Sequence, residues 1–244
     1  MINLKNCMLS KTDICSVIAS SLVDEGNDSF IFREKNNESY GLREVRFNNT
    51  GHYLVLSSEF FKKSKDIYQT KFEETHLRKD CDQVVLFEKN CKIYICWIEV
   101  KTSLNEIFRK GIFQIPGCYY KVKSILGHFK SYNSDDFVEY AIAIYADDAP
   151  KVPKKTVQQQ NYDYMKLKRN KISAPPMTSE QKIERKYTQT LQSRVKGILY
   201  GEDFGMHKLP IKKEYVIDRL PFVIWPVSYN GAIVNMDDII SLLD

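Results

Sequence analysis

Two short apolar runs, residues 84–87 and 93–100, constrain the fold more than any other feature of this chain. Both are rich in β-branched and aromatic residues and the stretch between them is polar, so the pattern predicts a β-hairpin. Side chains alternate between the two faces of a strand, which puts Glu99 and Lys101 on the same face. The hairpin reversal brings Asp82 beside Glu99. We therefore expect two carboxylates and an ammonium group to meet where an apolar sheet ends.

This trio suits a divalent cation and an activated water. Mg²⁺ prefers oxygen ligands, usually accepts one or two protein carboxylates and leaves its other positions to water and phosphate oxygens. Such a cation can polarise a phosphoryl oxygen, and a neighbouring lysine can orient or deprotonate the attacking water. The alternative is a structural salt bridge, since a Glu-x-Lys arises about once by chance at this charge content. A second copy, Glu184-Arg-Lys186, does occur in a polar segment.

The order of these residues resembles the PD-(D/E)xK nuclease superfamily. Its core is a helix, a three-stranded meander carrying Asp and then Glu-x-Lys, a crossover helix and a fourth strand. The resemblance covers about residues 80–146, and it implies an α/β fold: a restriction-endonuclease-like mixed central sheet flanked by helices, with peripheral N- and C-terminal elements. By resemblance, Asp82 and Glu99 are metal ligands together with the backbone carbonyl of Val100, and Lys101 is the catalytic lysine.

Other family features are met in part. Many members carry a Gln, often followed by an aromatic residue, on the helix after the motif, and Gln114 with Tyr119 or Tyr120 resembles this pair at a different spacing. By resemblance Gln114 is a further catalytic residue. The proline of the family name is absent, because Cys81 stands in its place. Some members add an acid from an early helix, and three residues here are candidates that also fit plain surface positions: Glu59, Glu73 and Glu74.

The crossover after the motif reads as two helical pieces. Residues 103–106 form a capping-box pattern that predicts the start of a short helix. Pro116 fits the first turn of a second helix, so we expect a kink near Ile115 with Gln114 at the joint. The apolar run 138–146 then predicts a strand covered on both faces, and a strand, helical crossover and strand in sequence imply a parallel, right-handed connection.

Before the hairpin, Thr12 or Asp13 can cap a helix that ends near Gly26. A lysine-bearing helix is expected over residues 59–72. Three strand-like runs lie between these helices: 30–33, 42–47 and 53–56. The C-terminal residues, 215–243, return to core-like sequence, and we expect them to pack back on the sheet with Asn235 capping a final short helix.

The region of about 151–200 is a polar, basic insertion with tyrosines, and its second half, 179–197, reads as a charged helix. Basic residues interleaved with tyrosines can neutralise phosphates and stack on bases. The residues expected to do so are Lys166, Lys168, Arg169, Tyr162 and Tyr164. The alternatives are a solvated insertion or a surface that grips another protein, and the net charge of +5 supports nucleic acid only weakly.

Composition sets the remaining bounds. A chain of 244 residues that is 43% hydrophobic can bury one good core, so we expect a single domain over 1–244. No run of about 18 apolar residues and no signal peptide occurs, so no membrane partner is expected. Six cysteines without CxxC pairing are typical of reduced thiols and a cytoplasmic location. A zinc site is disfavoured over its conceivable ligands: His76, Cys81, Cys91 and Cys96.

These expectations converge on a Mg²⁺-dependent nuclease, with Mn²⁺ as a possible substitute and DNA as the expected substrate. The resemblance suggests restriction or antiviral defence, where a partner subunit could supply ATP hydrolysis or target sensing, because no glycine-rich phosphate loop occurs in this chain. A homo-oligomer is compatible with the sequence. The alternative is a catalytically inactive nuclease-fold protein acting as a nucleic-acid-binding or scaffold subunit; a third option is a subunit whose insertion grips another protein.

Overall fold

In a computed structural model, the described residues of this chain form a mixed α/β fold with one large sheet and few helices. The described residues are 20–33, 42, 44–65, 80–90, 92–128, 137–146, 195–200 and 217–243. The strands are β1 (Val23–Arg33), β2 (Glu44–Leu56), β3 (Gln83–Lys89), β4 (Lys92–Lys101), β5 (Phe137–Ala146), β6 (Val195–Leu199), β7 (Leu220–Val227) and β8 (Ala232–Asn235). The helices are α1 (Ser58–Lys65), α2 (Leu104–Arg109), α3 (Ile115–Leu126) and α4 (Met236–Leu243), with short 3-10 segments at Ser20–Leu22 and Gly111–Phe113.

The sheet runs in the order β1-β2-β3-β4-β5-β7-β6, and β8 pairs with β2. Strands β1 to β4 form an antiparallel meander, whereas β4, β5 and β7 are parallel neighbours. The predicted hairpin is β3 and β4, in a register that pairs Gln83 with Ile98. The predicted strand after the crossover is β5, and it lies parallel to β4 as expected. The candidate motif therefore lies at the centre of the sheet.

Apolar layers cover both faces of this central strand pair. Residues of α1, α2 and α3 pack on one face together with Ile95 and Trp97 of β4. Residues of α4 pack on the other face together with Cys96 and Ile98. Strand β4 is buried from Ile93 to Val100, as expected of a strand covered on both sides. Odd-numbered positions of β4 therefore face the crossover helices.

The crossover has the predicted two helical pieces. Ser103 is the N-cap of α2 in an extended conformation, but its side chain makes no capping hydrogen bond, and the Glu106 amide donates to the Ser103 carbonyl oxygen at 3.1 Å. The 3-10 segment Gly111–Phe113 joins α2 to α3, with Gln114 at the junction and Pro116 in the first turn of α3. This broken path folds the crossover over the end of β4.

Two expectations for the outer strands are wrong. The helix expected to end near Gly26 does not reach it, because β1 begins at Val23; the part of that helix before residue 20 lies outside the described residues. Residues 24–29 of β1 are polar and mostly exposed. Because they lack alternating apolar residues, their sequence does not indicate a strand.

The runs 42–47 and 53–56 are not separate strands, because residues 44–56 form the single strand β2. An irregularity lets β2 run through the polar residues between the two runs: the register passes from Asn27–His52 to Ser29–Asn48, and Gly51 in between has a φ of +65°. A positive φ is a conformation that glycine adopts without strain.

The helix predicted over 59–72 is described as far as Lys65, and its remainder lies outside the described residues. The charged helix predicted over 179–197 is wrong at its end: β6 begins at Val195 and pairs antiparallel with β7. Hydrogen bonding to the largely buried strand β7 outweighs the local helical pattern of residues 195–197. Residues 179–194 lie outside the described part of the chain.

The C-terminal segment joins the sheet. Strand β7 pairs with β5, so it becomes an interior strand, and β8 pairs with β2. Asn235 caps α4 as predicted, since its Oδ1 accepts a hydrogen bond of 3.0 Å from the Asp237 amide. None of the helices in the described segments is long and apolar enough to cross a membrane.

Candidate functional site

The hairpin register brings Asp82, Glu99 and Lys101 together on one face. Because Gln83 pairs with Ile98, Asp82 stands opposite Glu99, and its amide donates to the Ile98 carbonyl oxygen at 3.0 Å. The Lys101 ammonium lies 3.6 Å from Asp82 Oδ2 and forms a direct ion pair with Glu99 Oε1. The three side chains thus meet at the end of the central strands, on the face that the crossover helices cover.

Val100 contributes its backbone to the same place. Its amide donates to Asp82 Oδ2 at 2.7 Å, and its carbonyl oxygen accepts from Lys101 Nζ at 3.2 Å. In an antiparallel pair the N–H and C=O of one residue point toward the same neighbouring strand. The Val100 carbonyl therefore points to the Asp82 side of β4, where the resemblance implies a third metal ligand.

Burial makes these groups unusual. Glu99 is 0% exposed, whereas the side chains of Asp82 and Lys101 are 19% and 16% exposed and lie at the surface end of the cluster. Within the described residues, Glu99 Oε2 is buried and has no hydrogen-bond partner. A buried carboxylate oxygen without a partner is costly, and a cation would satisfy it. Two carboxylates and a carbonyl are the hard oxygen ligands that Mg²⁺ or Mn²⁺ takes.

The electrostatics point the same way. Burial raises the pKa of Glu99 well above its ordinary value, the nearby Asp82 charge raises it further, and the Lys101 ammonium opposes both effects. Burial also raises the pKa of Asp82, against the lowering effects of Lys101 and of the Val100 amide. Both carboxyls therefore resist ionisation until more positive charge is present. A divalent cation would supply that charge, and its binding would release protons.

Gln114 does not join the trio. Its Nε2 donates to the backbone carbonyl oxygen of Asp80 at 2.6 Å, two residues before Asp82. The Tyr119 hydroxyl donates to Glu139 Oε2 on β5 at 3.0 Å, so it also lies away from the trio. Tyr120 is only half-buried. Gln114 and Tyr119 thus lie on the crossover as expected, but their hydrogen bonds go to Asp80 and Glu139.

Two residues that hold the segment at Asp80 were not indicated by the sequence. Lys121 of α3 forms a buried ion pair with the Asp80 carboxylate, and Cys118 Sγ accepts a hydrogen bond from the Cys81 amide. Helix α3 therefore holds both residues that lead into Asp82. The one signal in the sequence is that two lysines interrupt an otherwise apolar helix, a pattern that normally indicates a solvated face.

Gly111 also packs on the site. A Cβ atom at this position would lie 3.0 Å from Cγ of Glu99 and 3.6 Å from Cγ of Lys101. A methyl group at residue 111 would be tight against Glu99, so the glycine allows the 3-10 segment to approach this side chain without a shift. No sequence pattern distinguishes this glycine from one that serves a turn.

Of the other candidate residues, only Glu59 belongs to the described part of the chain. Glu59 is half-buried in the first turn of α1, at the same end of the sheet as Asp82, because Leu56 of β2 pairs with Val84 of β3. Residues outside the described part of the chain are Glu73, Glu74, Tyr162, Tyr164, Lys166, Lys168 and Arg169.

The disfavoured zinc site is incompatible with the fold for two of its four residues. Cys81 and Cys96 belong to apolar layers on opposite faces of the sheet, so they cannot share one ion; His76 and Cys91 lie outside the described residues. No group of three or more His, Cys, Asp or Glu side chains in the described segments is arranged to hold a metal. Asp82 and Glu99 supply two such side chains, and the third candidate ligand is a backbone carbonyl, so they do not form a group of this size.

Comparisons with family models, with curated proteins and with solved structures find no match.

Proposed function

We propose that this chain is a metal-dependent nuclease with a restriction-endonuclease-like sheet, and that it hydrolyses phosphodiester bonds in DNA. The observation that supports the proposal is the unpartnered Glu99 Oε2, buried beside Asp82 and Lys101. A salt bridge that served only stability would need one carboxylate for one ammonium, and it would gain nothing from a buried oxygen without a hydrogen bond.

In this proposal Asp82, Glu99 and the Val100 carbonyl hold Mg²⁺ or Mn²⁺. When bound, the cation would polarise a phosphoryl oxygen and lower the pKa of a water molecule. Lys101 orients the attacking water, since its ammonium lies at the partly exposed end of the cluster and already contacts all three ligand residues. Its charge also neutralises part of the carboxylate pair before any cation arrives.

Gln114 becomes a positioning residue in this proposal. Its amide holds the backbone of Asp80, so it acts on the proposed metal ligand through two residues of chain and does not touch the reacting groups. The substrate would lie across the basic tract named above, Lys166, Lys168, Arg169, Tyr162 and Tyr164. A cytoplasmic role in restriction or antiviral defence, with a partner subunit, is supported by the resemblance alone.

One observation favours the inactive alternative. Lys101 pairs directly with the fully buried Glu99, and such a pair could fix the hairpin without any chemistry. In that reading the chain binds nucleic acid or serves as a scaffold subunit. The two readings differ in whether the trio is needed for cleavage.

Incubation of the purified chain with linear and circular DNA, plus Mg²⁺ or Mn²⁺ and with EDTA as control, tests the proposal. The wild type should cleave only with metal, and Glu99→Gln and Lys101→Met should each lose at least about a hundredfold in rate. Lys123→Met is a matched control, because it breaks another buried ion pair under the same helices. Inert wild-type protein would support the scaffold reading. Cleavage at the wild-type rate by either site variant would show that the trio does not carry the activity.

A further inference from the structure

Helix α3 carries two buried ion pairs that reach in different directions. Lys121, 3% exposed, pairs with Asp80 ahead of β3, and Lys123, 4% exposed, pairs with Glu139 of β5 at 2.5 Å. The two lysines are two positions apart on one helix and almost equally buried. The two ion pairs therefore differ mainly in the segment that each one attaches to α3: the residues before β3 in one case and β5 in the other.

A buried ion pair contributes little net stability. Removing two charges from water costs about as much as their attraction returns, so what such a pair supplies is a fixed geometry. The geometry fixed by Lys121 is that of the chain entering Asp82. Two neighbouring contacts act on the same stretch: the Gln114 amide on the Asp80 carbonyl at 2.6 Å, and Cys118 Sγ on the Cys81 amide.

The second pair lies away from the trio. Glu139 is the register partner of Ile95, four residues before Glu99 in β4. At about 3.3 Å per residue, that places it roughly 13 Å along the strand from the proposed metal ligands. The Lys123 pair therefore shares the helix, the sheet face and the burial of the Lys121 pair but not its link to Asp82.

We propose that Lys121 is a positioning residue that sets the metal affinity of the site, by holding Asp80 and through it the Asp82 carboxylate against Glu99. Asp82 lies one residue ahead of β3, and its amide still bonds the Ile98 carbonyl oxygen; before Asp82 the chain is held by the contacts that α3 makes with Asp80 and Cys81. A metal ligand has to be held within about 0.5 Å of its productive position. This inference deepens the proposed function and rests on it.

Binding of Mn²⁺ to the metal-free full chain, measured by electron paramagnetic resonance of the free ion, tests the inference. Lys121→Met should raise the Mn²⁺ Kd about 10- to 100-fold, the range usual for residues that orient a metal ligand. Lys123→Met should leave the Kd within about twofold, although urea unfolding in EDTA should show that both variants lose stability. Equal weakening by the two variants would overturn the inference, because it would reflect a general loosening of α3.

A double variant covers the case in which Lys121→Met does not fold. Asp80→Leu with Lys121→Met removes both charges, so neither is left buried without its partner. Folded proteins often tolerate this exchange. The double variant should fold and bind Mn²⁺ as weakly as we expect for the single variant. Wild-type affinity in the double variant, or in folded Lys121→Met, would overturn the inference.

Glu99→Gln separates this inference from the proposed function. If Glu99→Gln binds Mn²⁺ as tightly as the wild type, the ion lies elsewhere, and the proposed metal site and the inference both fail. If Glu99→Gln abolishes binding while folded Lys121→Met binds normally, the metal site stands and the inference alone fails. Loss of binding in both variants, with Lys123→Met normal, is the result that we expect.

Discussion

The Asp82 carboxylate accepts a hydrogen bond of 2.7 Å from the backbone amide of Val100 across the open end of the β3–β4 hairpin. The contact joins one proposed metal ligand to the strand that carries the other, next to Glu99. It therefore links the site to the strand register, because a slip of one residue would turn Glu99 to the opposite face of the sheet.

Magnesium should stabilise the wild type and not Glu99→Gln. A ligand that binds only the folded state adds about 2.7 kcal/mol at a concentration one hundred times its Kd. Thermal melting with Mg²⁺ and with EDTA measures this gain, and Glu139→Gln should keep it, because Glu139 lies away from the trio on β5. Equal gains in wild type and Glu99→Gln would place the stabilising ion outside the site.

The contribution of the carboxyl pair to the stability of the metal-free protein should fall as the pH rises. Glu99 has an ordinary pKa of 4.5 and a folded-state pKa raised well above it. Below 4.5 both states hold the proton. Above it the unfolded chain releases the proton while the folded chain keeps it, so unfolding becomes more favourable until the folded-state pKa is passed. The raised pKa of Asp82 acts with the same sign.

Glu99→Gln lacks the larger of these two effects. In EDTA its unfolding free energy relative to the wild type should rise with pH above about 4.5, until the folded-state pKa of Glu99 is passed. Urea unfolding of both proteins across this range provides the measurement. A difference that stays constant with pH would contradict a raised folded-state pKa of Glu99.

Part of this site was predictable because the relevant pattern is local. Alternation along β4 and the polar turn before it are enough to place Asp82, Glu99 and Lys101 on one face. The junction at Gln114 and the cap at Asn235 likewise follow from neighbouring residues. In each case the interaction partners lie in the same hairpin, crossover or turn.

The support around the trio was not predictable, because it depends on where α3 lies on the sheet. Helical spacing does not predict that Lys121 contacts Asp80, 41 residues earlier. A lysine on a helix normally indicates a solvent-exposed position. The close approach of Gly111 to Glu99 has the same origin in tertiary packing. The run 30–33 predicted the second part of β1, but residues 23–29 were not predicted as a strand, because their mostly exposed side chains show no apolar alternation.

Gly111→Ala should weaken the metal site. The new methyl carbon would lie 3.0 Å from Cγ of Glu99, so Glu99 or the 3-10 segment must shift by a few tenths of an ångström. We expect the Mn²⁺ Kd to rise about tenfold, as for other changes that displace a metal ligand. Gly26→Ala is the control, because its methyl group would instead meet the Tyr53 ring on the outer strands. Unchanged Mn²⁺ affinity in Gly111→Ala would show that the segment yields without moving Glu99.

Binding of DNA should depend on salt through the basic tract. If Lys166, Lys168 and Arg169 each neutralise a phosphate, replacing all three with glutamine should reduce the slope of log affinity against log salt by about two to three. Tyr162 and Tyr164 would add stacking, so single strands and frayed ends should bind more tightly than intact duplex.

Fluorescence anisotropy in EDTA, which prevents cleavage, measures this slope at several salt concentrations. Arg46→Gln with Lys92→Gln is the control, because both positions are exposed on the described strands and neither belongs to the tract. The control should leave the slope close to that of the wild type. An unchanged slope in the triple variant would mean that the tract is solvated or binds a protein partner. The carboxylate and lysine site would then remain as proposed, and the DNA would have to reach it across another surface.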